Sequence, residues 1–206
     1  MSFDAFVARH LRHPKGFLGE IFASVMNNAN HELNQFMKQA MCIGPSDRVL
    51  EIGFGSGKLI HEMAHITTNG GVAGIDTSAT RVSQVTRHNR KLISSGRVTL
   101  VNASVESIPF DDAAFTKVCS ANTLDWWPDP EENIREIYRV LTNGGSVALG
   151  FSAEKQRGRQ PISRHGNTLY SEDSVMALLR HGGFSCIEML REKRGQMTTY
   201  CALATK

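Results

Sequence analysis

The 206-residue chain is 41% hydrophobic and 21% charged with a net charge of +3, a profile that suits one soluble α/β enzyme domain with one core. That charge is too small to argue for nucleic acid by itself. No apolar run reaches the roughly 18 residues of a membrane span, and Met1–Leu11 lacks the apolar stretch of a signal peptide, so a cytoplasmic location is expected. Cys42, Cys119, Cys186 and Cys201 are too far apart for a zinc cluster or a disulfide framework. Three of the four lie in apolar stretches and are expected as buried thiols.

In chain order, residues 1–16 gather Arg9, His10, Arg12, His13 and Lys15 between two short apolar groups. They form either a solvated basic arm or a lid. Ile21, Phe22, Val25 and Met26, then Leu33, Phe36, Met37, Ala40 and Met41, follow helical spacing on either side of Asn27-Asn28-Ala29-Asn30. Two helices with a polar break are predicted. Residues 1–43 are assigned to an N-terminal helical cap, and 44–206 to the main domain.

Arg48–Ile52 reads as a buried strand and Lys58 to about Ile66 as a helix. Between them Gly53, Gly55 and Gly57 alternate. Such glycines open backbone angles closed to other residues and let a ligand approach the main chain, while the N–H groups starting the helix receive an anionic group. A phosphate-binding loop requires Gly where Ile52 stands and a hydroxyl where Leu59 stands. A dinucleotide fingerprint requires Gly or Ala where Lys58 stands. The pattern left is acidic-x-Gly-x-Gly-x-Gly, starting at Glu51.

Gly71–Ile75 is the second predicted strand, with Asp76 at its carboxyl end, 25 positions after Glu51. A carboxylate at that spacing suits a pair of ribose hydroxyls; it also suits a helix cap together with Thr77 and Ser78. Val82, Val85, Asn89 and Leu92 mark one face of a helix from there to about Ser95. Val98–Val101 is the third strand, followed by Asn102-Ala103-Ser104-Val105-Glu106-Ser107-Ile108-Pro109-Phe110. Phe115–Ala121 is the fourth, ending in Asn122-Thr123-Leu124-Asp125-Trp126-Trp127. The two tryptophans either line a site beyond the strand ends or serve as surface plug and helix packing. Asp129 is the predicted cap of the next helix, with Pro130 first and Glu132 completing a capping box. Leu141–Gly145 ends that helix, and Ser146–Phe151 is strand five. Residues 152–169 form a basic loop or substrate lid with Arg157, Arg159, Arg164 and His165. A helix from Tyr170 to His181 and strands at Ser185–Leu190 and Thr198–Ala204 complete the chain.

Taken together, Glu51-x-Gly-x-Gly-x-Gly, Asp76 after strand two, Val105-Glu106-x-Ile-Pro-Phe, the Trp-Pro-Asp-Pro helix start and Arg139-Val140-Leu141 before Gly144-Gly145 resemble the class I S-adenosylmethionine-dependent methyltransferases. The likeness is to the type 11 branch of ubiquinone and menaquinone biosynthesis methyltransferases. The resemblance implies a Rossmann-like α/β fold: a mostly parallel seven-stranded sheet with an antiparallel last strand, helices on both faces, and extra N-terminal helices. It implies S-adenosyl-L-methionine as cofactor, with Glu51, Gly53, Gly55 and Gly57 at the methionine end, Asp76 at the ribose, Ser104, Val105 and Glu106 on the adenine side, and Asn122 and Leu124 near the sulfonium. Ser104 stands where the family commonly carries an acidic residue. The acceptor implied is a small aromatic or lipid-like metabolite, since the Asn/Asp-Pro-Pro-Tyr motif of many nucleic-acid amino methyltransferases is absent after strand four. Asp125, His165 and Tyr170 are candidate bases, and spacing distinguishes none of them. Two rival readings stand beside this one: a nucleic-acid methyltransferase using residues 1–16 and the 157–165 loop, and a non-catalytic cofactor-binding member.

Overall fold

Alternation along each strand decides which side of the sheet a residue faces. The computed structural model describes residues 31–152, 170–194 and 197–206. A helix through residues 31–40 (α1) is followed by β1 (Arg48–Ile52), α2 (Lys58–Ile66), β2 (Gly71–Asp76), α3 (Ala79–His88), α4 (Arg90–Ser94), β3 (Val98–Asn102) and β4 (Phe115–Ala121). A single 3-10 turn (Leu124–Trp126) leads to α5 (Pro130–Val140), β5 (Leu141–Ser152), α6 (Glu172–His181), β6 (Ser185–Arg194) and β7 (Met197–Thr205). Leu50, Ile52, Ala73, Ile75 and Val118 pack on Ile134 and Ile137 of α5 and Val175 and Leu179 of α6. Their sequence neighbours Val49, Val72 and Cys119 face the other way, onto Leu33 and Met37 of α1, Leu59, Ile60 and Met63 of α2, and Val85 of α3. A sheet covered on both faces needs apolar residues at every position, which is why β1 reads as an unbroken apolar run around one acid.

The seven strands lie in the order β3-β2-β1-β4-β5-β7-β6. All pairings are parallel except those of β7, which runs antiparallel to both β5 and β6. This is the class I methyltransferase arrangement that the sequence resemblance implied. Crossovers from β1 lead outward through β2 to β3, and those from β4 lead the other way. The direction reverses between β1 and β4, and in open α/β sheets ligands occupy the crevice beyond the carboxyl ends at such a point.

Several boundaries differ from the sequence reading, each for a local reason. The helix expected to run to Ser95 is split at Asn89, whose buried side chain turns back to donate to the Val85 carbonyl (3.1 Å). Tyr170 lies outside its expected helix, because Ser171 is the cap, accepting from Ser174 N–H. The capping box at α5 is half made: Asp129 accepts from Glu132 N–H at 3.2 Å, but the Glu132 side chain reaches forward to Arg135. Strand five begins at Leu141, paired with Phe115, and a register irregularity follows before Lys117 pairs with Ser146. Two thiols are buried rather than three, Cys119 and Cys201, while Cys42 and Cys186 are exposed. Residues 1–30, with the expected basic arm and first helix, and residues 153–169, with the expected basic loop, lie outside the described residues.

The connection from β3 to β4 contains no helix and is fastened instead by Arg139 of α5. Its guanidinium donates to the carbonyls of Ile108 (3.0 Å) and Phe110 (2.9 Å), to Asp112 (2.7 Å), and through a fork to Glu136 (both 2.8 Å). Glu136 also accepts from Ile108 N–H at 2.9 Å. The hydrogen bond from Arg139 holds the Glu136 carboxyl below its ordinary range, against the opposing effect of burial. A lysine keeps the charge but not the planar fork. Arg139→Lys should therefore cost about 1–3 kcal/mol of unfolding free energy, read from the urea midpoint, and hydrogen exchange should quicken first at Ile108.

Candidate functional site

Where β1 and β4 end, the two chains touch. Gly53 takes φ +72, and a Cβ there would stand 2.5 Å from the Thr123 methyl carbon, so any side chain would force the strand ends apart. Gly53 N–H donates to Ile75 O (2.8 Å), tying the loop to β2 as well. On the β4 side, Ser120 donates to Ile52 O at 3.0 Å, shares a hydrogen bond with Thr123, and Trp127 donates its indole N–H to Thr123 at 3.2 Å. Asn122, at φ +53, sends its N–H to Gly150 O of β5 (2.8 Å).

The three loop glycines have different reasons to be glycine. All take positive φ. Gly57 caps α2 and lies so close to α3 that a Cβ would overlap Val85. Gly55 has nothing within 4 Å of where a Cβ would stand; its main chain borders open space, where a ligand can lie against it. Gly55 N–H donates to Asp76 Oδ2 at 3.1 Å, and Ser78 N–H donates to Oδ1 at 2.9 Å. Ser78, not Asp76, caps α3, accepting from Arg81 N–H. The half-buried Asp76 carboxylate thus joins the loop to the start of α3 and keeps lone pairs free on both oxygens.

Glu51 is 3% exposed, and its Oε2 has no hydrogen-bond partner. Burial, then the nearby Asp76 carboxylate, push its pKa from 4.5 up to about 8, with the Ile60 backbone N–H opposing them. Burial and the neighbouring Asp76 thus favour the protonated form of the Glu51 carboxyl.

The loop after β3 starts alongside Asp76: Asn102 Nδ2 and Ala103 N–H both donate to its carbonyl, at 2.7 and 3.3 Å. Ser104 donates to Glu106 (2.8 Å) and accepts from Glu106 N–H (3.3 Å), so these two side chains engage each other. Val105 is buried in the α5 face of the sheet. Leu124 and Tyr170 belong to that same buried cluster with Trp127, whereas Trp126 is 45% exposed. The tryptophan pair thus divides its labour, one ring inside and one at the surface. Asp125 sits half-buried in the 3-10 turn. His165, and the basic segments on which a nucleic-acid reading depends, lie outside the described residues.

The sequence pattern does not mark Thr123, Ser120 or Arg139 as residues that build the site. Thr123 carried a signal: it directly follows a strand that must pass a glycine loop closely. A shallow hollow lined by Arg48, Gly71, Arg97 and Phe115 opens at the opposite end, since three of those residues begin their strands. Among the described residues, no group of three or more His, Cys, Asp or Glu side chains is placed to hold a metal ion.

Comparison with known proteins gives a consistent picture. A family model described as a methyltransferase domain matches residues 50–149. YrhH of Bacillus subtilis (strain 168), which carries a provisional methyltransferase name, is 32% identical over 174 residues, 84% of this chain and 86% of its own. A demethylmenaquinone methyltransferase of Roseiflexus castenholzii is 31% identical over 142 residues, 68% of this chain and 57% of the relative. The crystal structure of an S-adenosylmethionine-dependent methyltransferase from Aquifex aeolicus superimposes with a TM-score of 0.70 at 18% identity, covering 83% of this chain and 88% of that one.

The state of Glu51 has a measurable consequence. In the folded chain its carboxyl keeps a proton up to about 8, and in the unfolded chain only to about 4.5. The folded state binds more protons across that window, so the contribution is complete below 4.5 and is lost as pH rises through 8. Urea unfolding between pH 5.5 and 8.5 should show stability falling by up to about 1.4 kcal/mol per pH unit, and Glu51→Gln should flatten that slope.

Proposed function

The chain belongs to the methyltransferase-domain family as an S-adenosylmethionine-dependent methyltransferase, and from that premise we propose that it methylates a small aromatic or lipid-like acceptor with the cofactor held at the carboxyl ends of β1, β2 and β4. The observation that carries the reading is the Gly55–Asp76 hydrogen bond beside the open space over Gly55. It aims a carboxylate with spare lone pairs at the position a nucleoside ribose takes in such folds.

The residues fit the cofactor. The orphaned Glu51 oxygen and the main chain of Gly53, Gly55 and Gly57 receive the methionine end, where a polar group would satisfy the buried acid. Asp76 accepts from the ribose hydroxyls. Ser104, Val105 and Glu106 would border the adenine; with Ser104 engaged by Glu106, main chain and apolar packing would hold the base. Asn122 and Leu124 border the reacting end. When bound, the cofactor supplies a methyl group on a sulfonium that leaves readily, so the chain's own work is alignment of the acceptor. If the acceptor atom must lose a proton, the half-buried Asp125 is the candidate base among the described residues, since Tyr170 is buried in the core cluster and His165 lies outside the described residues.

Support for the acceptor class comes from the half-exposed Trp126 beside the strand ends, an apolar face for a ring or prenyl chain, and from the quinone substrate in the name of the Roseiflexus relative. Four free thiols accord with a cytoplasmic setting, and no helix among the described residues is long and apolar enough to cross a membrane.

Calorimetry with S-adenosylhomocysteine should give binding that NAD and ATP do not. Asp76→Ala should weaken it by about tenfold or more, on the order of two lost charge-assisted hydrogen bonds. Because Asp76 also fastens Gly55, the decisive comparison uses a 2′-deoxy analogue: the wild type should discriminate against it and Asp76→Ala should not. Equal discrimination by both would overturn the ribose assignment.

A further inference from the structure

Residues 61–65 read His-Glu-Met-Ala-His, placing two imidazoles one helical turn apart on α2. Both rings are exposed and point toward each other: centroids 4.7 Å apart, planes 74° apart, and Nε2 to Nε2 3.2 Å. His61 Nδ1 lies 2.9 Å from Asn89 Oδ1. Asn89 is 4% exposed and its amide nitrogen is committed to Val85 O, so its oxygen faces the ring and Nδ1 must carry the proton. That leaves His61 Nε2 as a lone pair, directed at His65.

We propose that His61 and His65 form a binding site for one divalent transition-metal ion of the imidazole-preferring class, Cu²⁺, Ni²⁺ or Zn²⁺. Two nitrogens each about 2.05 Å from a common ion and 3.2 Å apart subtend an angle of about 100° at it, within the range of tetrahedral and tetragonal sites. The ion takes the place of the single hydrogen between the rings, and the His65 proton moves to Nδ1, so binding by the neutral rings releases no proton. Asn89 is the outer partner that fixes the His61 tautomer, the role a carbonyl or carboxylate plays behind most metal-bound histidines. Water completes the coordination, since no third His, Cys, Asp or Glu side chain among the described residues is in place.

The same five residues match the zinc-hydrolase spacing His-Glu-x-x-His, whose glutamate activates a metal-bound water. Here Glu62 is turned to α1, accepting from Gln35 Nε2 and Lys38 Nζ, both at 2.6 Å. The site binds an ion without the base that hydrolysis needs. It also spans one turn of the helix that carries the glycine loop at its start, so an ion there staples α2.

Titration of the untagged full chain with Cu²⁺, followed by calorimetry and by electron paramagnetic resonance, tests the proposal. The wild type should bind one equivalent with hyperfine structure from two imidazole nitrogens. His65→Ala and His61→Ala, both at exposed positions, should lose it, and Asn89→Ala should weaken it about tenfold, while His88→Ala, outside the pair, should bind as the wild type does. Circular dichroism confirms that each variant is folded. Unchanged Cu²⁺ affinity in folded His65→Ala, or a signal showing a single nitrogen, would overturn the proposal.

Discussion

The contact on which the site depends is the close approach of β1 and β4 at Gly53 and Thr123. Their pairing brings Glu51 level with Cys119 and Ile52 level with Ser120. From that line the chain departs in opposite directions, to β2 on one side and β5 on the other. Nothing crosses back above the joint among the described elements, so a crevice forms there without any residue having to be hollowed out. Glycine at 53 and the short Ser120 and Thr123 side chains keep the crevice floor thin, and the hydrogen bonds from Ser120 to Ile52 and from Trp127 to Thr123 hold it rigid.

Two acids stand on this floor, and their surroundings set them apart. Glu51 projects from the middle strand into packed side chains and is stabilised as the neutral acid. Asp76 ends an outer strand and is met by two backbone N–H groups. A ligand carrying positive charge finds one negative group ready and a second that its own field can ionise. Burial likewise raises the Cys119 thiol, with Glu51 adding to it, and lifts that of Cys201 to about 12. Both thiols are packing groups, out of reach of any chemistry at the crevice.

The elements nearest the site were the most legible in the sequence, because each is fixed by local chemistry. Arg48–Ile52 is a short apolar run ended by glycine, and Asp129-Pro130 is a helix start with a mechanism. Where the reading slipped, a tertiary partner decided the matter. Asn89, whose bond back to Val85 ends a helix, is also held by His61 of α2; helical periodicity on one segment carries no word of the other. Cys186 lies in an apolar stretch yet is exposed, at φ 45 beside a register shift between β6 and β7. Thr123 meets Gly53 of a distant strand, and Arg139 reaches Phe110 and Ile108, 29 and 31 positions away, contacts that motif spacing does not encode.

The Arg139 clamp has a consequence for how freely the loop beneath it can change. Two of its four partners are main-chain carbonyls, at Ile108 and Phe110, and Glu136 adds the Ile108 N–H. A grip on the backbone does not distinguish among the side chains it carries. Positions 104, 106 and 107 can therefore exchange one polar group for another while the loop keeps its path. In such a design the scaffold and its chemistry mutate independently, and a serine at 104 is a change of surface rather than a loss of form.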